Sequence, residues 1–118
     1  MILVDTSVWA DHLRKPDADL SKLLMAFQVL THTMVIEELA CGHLPNRREF
    51  LEKMHELPHA PVATHFEVLG LITEEKLFGT GIGSVDANLI ASTRLATAKL
   101  WSRDKALLRE ARRLGIGA

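Results

Sequence analysis

Four carboxylates in this chain stand where acids can do chemistry. Asp5 follows the apolar run MILV, Glu38 lies within EELACG, Asp86 follows the glycine-rich GTGIG, and Asp104 closes LWSRD. Acids brought together repel: two of them about 4 Å apart are opposed by ~4 kcal/mol at an effective dielectric of ~20, so a fold that gathers several needs a cation to offset the repulsion. A donor set of carboxylate oxygens without Cys or His favours Mg²⁺ or Mn²⁺. Each acid also has an ordinary explanation. Asp5, Asp86 and Asp104 can serve the positive ends of helices, and Glu38 can be solvated.

The elements that must position these residues follow from apolar patterning. MILV (1–4) is too short and too uniformly apolar for a helix and reads as a strand buried on both faces, as in a parallel sheet. Thr6 or Ser7 then caps a helix to about Arg14. A second helix is predicted from Ala18 to Phe27, a short strand at VLT (29–31), and a helix from Met34 to about His43. Asn46 caps a further helix through Leu57, ended by Pro58 and Pro61. Thr64 starts another to about Phe78, GTGIG (79–83) connects, and Ser84 opens a helix carrying Val85, Leu89, Ser92 and Ala96. Lys99 to Trp101 reads as a strand, and Asp104 leads into KALLREARRLG, an amphipathic helix closed by Gly115. Strands separated by helices imply an α/β fold, a three-layer α/β/α sandwich around a short parallel sheet. Ligands of such sheets bind beyond the carboxyl ends of the strands, and Asp5 sits at one such end.

Composition bounds what the chain can be. With 118 residues it fits one domain spanning 1–118. Its 47% hydrophobic and 25% charged residues are those of a globular protein, not a disordered tail. The lone Cys41 excludes an internal disulfide and a Cys-based zinc site. No apolar run reaches the roughly 20 residues of a membrane span and no signal peptide is evident, so a cytoplasmic protein is expected. The formal charge of −1 provides no global field for a polyanion. A nucleic-acid role therefore has to rest on local chemistry.

VDTSVW at the start, EELACG at 37–42, GSVDANLIAS at 83–92 and LWSRD at 100–104 resemble, in order, the motifs of PIN-domain nucleases. Among these the chain is similar to the VapC ribonuclease toxins of bacterial toxin–antitoxin pairs. The resemblance implies a metal-dependent endoribonuclease using Mg²⁺ or Mn²⁺, with Asp5, Glu38, Asp86 and Asp104 as its acidic metal-site residues and Ser102 where the family often carries a Thr or Ser. Helical spacing leaves Glu37 and Glu38 equivalent, and the family pattern Glu38, Leu39, Gly42 selects Glu38. Thr6 and Ser7 are expected to orient Asp5 by hydrogen bonding. The resemblance further implies a homodimer, a structured RNA substrate such as a transfer RNA, and a cognate antitoxin. The antitoxin's apolar anchors would lie along Trp9, Leu13, Leu23 and Phe27, and an Arg from it would pair with the carboxylates.

The rival readings are weaker on the residues themselves. HELPH (55–59) matches the H-E-x-x-H pattern of zinc proteases, but Pro58 in a continuous helix would clash with the Met54 carbonyl at a cost of ~3 kcal/mol. A dehalogenase-type phosphatase needs a second carboxylate two residues after Asp5, where Ser7 stands. A receiver domain needs an Asp at the end of a middle strand, and this chain offers no convincing one. A catalytically inactive PIN-like interaction module would more naturally have lost one of the four acids. The apolar positions Trp9, Leu13, Leu20, Leu23, Leu24 and Phe27 read mainly as core, and the Arg47, Arg48 and Arg112, Arg113 pairs as solvated faces that can also contact phosphates.

Overall fold

The structure, a computed structural model, describes residues 1–118. Its centre is a parallel sheet of order β2-β1-β3 formed by β1 (Ile2–Val4), β2 (Val29–Leu30) and β3 (Lys99–Trp101). Leu3 pairs with Leu30 on one side and Leu100 on the other. Successive residues of a strand point to opposite faces, and both Leu3 and Val4 are fully buried, so helices cover the sheet on both sides. That is why MILV is apolar without alternation. Leu3, Val4, Leu100 and the helical residues Val8, Leu20, Val35, Leu89, Ile90 and Leu107 belong to one contiguous core.

Both sheet edges are covered by short parallel bridges. His59 lies beside Thr31, with Thr31 N–H donating to Pro58 O and Ala60 N–H to Thr31 O, both at 2.8 Å. Gly117 lies beside Leu100 at the other edge. Edge backbone that would otherwise offer a pairing template is thereby satisfied.

The strands are linked by α1 (Thr6–Arg14) and α2 (Ala18–Met25) before β2, by α3 (Thr33–Ala40), α4 (Arg47–Glu56), α5 (His65–Glu74) and α6 (Ser84–Leu95) before β3, and α7 (Lys105–Arg113) follows. Several starts differ from expectation by one residue. Asp5, not Thr6 or Ser7, occupies the N-cap of α1, and Gly83 rather than Ser84 precedes α6. Asn46 precedes α4 in a left-handed conformation without a side-chain cap bond. Thr64 forms a full capping box with Glu67, as its position before α5 requires.

Three helix ends without glycine share one geometry. α2 stops at Met25 because Phe27 turns left-handed (φ 55°), its N–H donating to Leu24 O and that of Gln28 to Leu23 O. Lys76 closes α5 and Thr97 closes α6 in the same Schellman geometry (φ 52° and 51°). Only α7 uses the glycine that signals such a stop, Gly115 (φ 75°). α3 ends at Ala40, three residues before the expected His43.

Candidate metal-dependent site

β1 delivers Asp5 to the carboxyl edge of the sheet, where its N–H donates to Trp101 O at 2.9 Å. The side chain is buried, 6% exposed, and makes no cap bond to α1 although it stands at the N-cap. Two hydroxyls hold it instead. Ser102 Oγ donates to Asp5 Oδ2 at 2.7 Å and Ser7 Oγ donates to the same oxygen at 2.8 Å. Ser7 thus makes the hydrogen bond to Asp5 that was expected of it, whereas Thr6 turns away: its hydroxyl donates to Glu38 Oε1 at 2.7 Å and ties α1 to α3.

The other two acids come from helix starts. Asp86 lies in the first turn of α6, where Oδ2 accepts a long bond from Gly83 N–H (3.4 Å). Asp104 caps α7, Oδ1 accepting from Leu107 N–H at 3.0 Å, while its own N–H donates to Ser102 Oγ at 3.0 Å. The ordinary capping role thus holds for Asp104, holds weakly for Asp86, and fails for Asp5.

Each of the four carboxylates has one oxygen tied to a donor inside the protein: Asp5 Oδ2, Glu38 Oε1, Asp86 Oδ2 and Asp104 Oδ1. The second oxygen of each is left without a protein donor. The four also share one electrostatic environment. Burial pushes the Asp86 carboxyl above its ordinary range, the Gly83 N–H opposes this, and the negative charges of Asp5, Asp104 and Glu38 add to the rise. No three acidic or histidine side chains close to ligation distance around one point. The arrangement is one of mutually repelling acids held within electrostatic reach of each other, and a hard oxygen-seeking dication suits that donor set. Glu37, one residue from Glu38, is exposed and makes no side-chain hydrogen bond; its charge acts on His32.

Three further residues enter that sequence reasoning did not single out. Arg103, between Ser102 and Asp104, donates its N–H to Ser7 Oγ at 2.9 Å and its guanidinium to Asp11 and Asp17. The signal was its place inside LWSRD, between two candidate residues.

The remaining predicted features fall elsewhere. α4 ends at Glu56 and Leu57 is extended (ψ 151°), so HELPH does not form the continuous helix a zinc protease needs. His55 and His59 stack at 6.2 Å, and His59 Nε2 lies 3.1 Å from the His55 carbonyl. Trp9 and Leu20 are core, but Phe27 is 84% exposed. Trp9 therefore offers no surface for a partner. Leu13 lines a groove with Thr6, Ala10, Leu39 and Leu44 that runs up to Glu38. Arg47 donates to Gly42 O at 3.4 Å, Arg48 pairs with Glu52, and Arg113 pairs with the buried Glu110.

No protein-family model matches the chain. The protein called ribonuclease VapC32, found in two strains of Mycobacterium tuberculosis, is 50% identical over 108 residues, which cover 91% of this chain and 87% of that protein. Among solved structures, FitAcB from Neisseria gonorrhoeae superposes with a TM-score of 0.67 at 18% identity, covering 95% of this chain and 94% of that one. FitAB bound to an IR36 DNA fragment gives 0.65 at 17% identity, covering 95% and 91%. PAE2754 from Pyrobaculum aerophilum gives 0.62 at 18%, covering 92% and 78%. At such identities these structures speak to the fold alone.

Proposed function

The chain belongs to the VapC-type PIN-domain ribonucleases, and from that premise we propose that it is a Mg²⁺- or Mn²⁺-dependent endoribonuclease serving as the toxin of a toxin–antitoxin pair. The observation that carries this reading is the state of the four acids, each with one oxygen held and the other left without a protein donor. Acids that served only folding would have no reason to share one electrostatic environment.

In this reading Asp5 and Asp86 would hold the cation, and Glu38 and Asp104 would help to hold it or would position the attacking water. A bound dication supplies charge to the phosphoryl oxygens and makes water more acidic. The protein's own part is orientation. Ser7 and Ser102 fix the Asp5 carboxylate, Thr6 fixes Glu38, and Leu107 N–H fixes Asp104. Hydrolysis adds the water oxygen to phosphorus and breaks the P–O bond to the departing ribose oxygen, which takes up a proton.

The substrate in this proposal is a structured RNA, with transfer RNA the leading class, in the cytoplasm. No helix is long and apolar enough to cross a membrane. The chain acts as a homodimer and is silenced by a cognate antitoxin. The groove from Leu13 and Leu44 to Thr6 and Glu38 suits an apolar antitoxin segment that ends in an Arg facing the acids. Trp9, being core, drops out of that contact set.

Asp5→Asn and Asp86→Asn should each remove most Mn²⁺-dependent RNA cleavage while the circular dichroism spectrum is retained, and EDTA should do the same to the unaltered protein. Full cleavage in EDTA, or by both variants, would sink the proposal.

A further inference from the structure

Arg103 forms a junction between the acidic site and the two helices that follow β1. Its guanidinium Nη1 donates to Asp11 of α1 at 2.8 Å, its other terminal nitrogen donates to Asp17, the N-cap of α2, and the group lies 5.6 Å from the centre of the Trp101 ring. Its backbone N–H donates to Ser7 Oγ, the hydroxyl that holds Asp5. The residues on either side, Ser102 and Asp104, belong to the candidate site.

The guanidinium is not a free cation looking for phosphate. Two carboxylates face it, its side chain is 36% exposed, and Asp17 is only 19% exposed. A planar fork that meets one carboxylate on each of two nitrogens sets both the distance and the angle of the turn carrying it. Remove it, and the 102–104 turn keeps the Ser102–Asp5 bond and the position-103 N–H to Ser7 Oγ, but loses both ion pairs that tie it to α1 and to the start of α2.

We propose that Arg103 is a positioning residue. By bridging Asp11 and Asp17 it holds the Ser102–Asp104 turn in register with Ser7, and so places Asp5 and Asp104 for the metal. This rests on the metal-dependent reading above, and the rival is that Arg103 contacts RNA directly.

The two ideas differ in what the acidic partners should do. If Arg103 positions, then Asp11→Asn and Asp17→Asn, the latter keeping an acceptor at the α2 cap, should mimic Arg103→Ala. Each should weaken Mn²⁺ binding in calorimetry with the metal alone, Arg103→Ala by about tenfold, the scale typical of losing an outer support of a ligand. kcat should fall, KM for RNA should hold, and pairing Arg103→Ala with Asp11→Asn should add little further loss. If Arg103 contacts RNA, Arg103→Ala should instead raise KM and flatten the salt dependence of binding by a slope of about 1, with Mn²⁺ affinity intact. Freeing the guanidinium in Asp11→Asn would then tighten RNA binding. That pattern overturns the proposal.

Asp5→Asn is the reference. Should it bind Mn²⁺ like the unaltered chain, the metal reading fails, and hydrogen exchange then judges Arg103 by itself. Arg103→Ala should speed exchange at the position-103 and Asp104 amides while the Leu3 and Leu100 amides stay protected. Unchanged exchange at 103 and 104 refutes the clamp whatever the metal does.

Discussion

Asp86 shows at the scale of one residue how a site conflicts with stability. Burial raises its affinity for a proton, and the charges of Asp5, Asp104 and Glu38 raise it further against the pull of the Gly83 N–H. A carboxyl held above the ordinary value of 3.8 favours the folded state most when protonated, and this contribution is lost as pH rises through the raised folded value. Above that raised value the ionised Asp86 is therefore a net cost to the metal-free fold. Asp86→Asn should raise the melting temperature in EDTA at pH 7, have less effect at pH 4, and abolish the further rise expected of the unaltered protein on adding Mn²⁺. A variant less stable in EDTA, or still stabilised by Mn²⁺, would show that the acids are not in conflict.

Among the elements, α3 depends on a buried histidine and α2 on a strained turn. His32 Nδ1 accepts the Met34 N–H at 3.0 Å, so Nε2 carries the proton and donates to Ser92 Oγ at 2.9 Å, joining the start of α3 to α6. Burial holds its pKa below 6.5, Glu37 pulls it upward, and His59 adds a smaller downward push. A base with a depressed folded pKa loses stability as pH falls, because the unfolded chain takes up the proton first. The Asp86 effect runs the opposite way, so the informative quantity is a difference. Between pH 7 and 5 the unaltered chain should lose more stability, by denaturant titration, than His32→Asn; equal losses would remove His32 as the cause. At the end of α2, Phe27 is left-handed and 84% exposed, so Phe27→Gly should gain about 1 kcal/mol by relieving backbone strain while losing little packing. A loss in urea denaturation would mean that Phe27 packs in solution as it does not here.

For the whole molecule, the proposed homodimer calls for an apolar surface. Phe66 and Leu69 on α5, Leu95 on α6 and the preceding Val62 are exposed large apolar residues, and Phe66 and Leu95 line a concavity with Ala63, Leu71 and Ala91. Apolar area gathered in one place on an otherwise polar surface is characteristic of an interface. Phe66→Asp should shift the protein from dimer to monomer by light scattering at micromolar concentration. An unaltered protein that is already a monomer, or a variant that stays dimeric, would move the interface away from α5 and α6.

The strand β1 and its stop at Asp5, the strand at Lys99 to Trp101, the cap by Asp104 and the break of α4 before Pro58 are all set by neighbours within a turn or a pleat, and local chemistry makes them readable in one dimension. The helix ends at Phe27, Lys76 and Thr97 carry no glycine, so only packing reveals them. The sequence made Trp9 and Phe27 look alike, and burial separated them, because a helical stripe does not say which of its members reaches the core. Above all, Thr6 meets Glu38 across 32 residues, Ser102 meets Asp5 across 97, and Arg103 reaches Asp11 across 92. Contacts of that range have no periodicity to betray them, since they depend on where the chain returns to the carboxyl edge of the sheet.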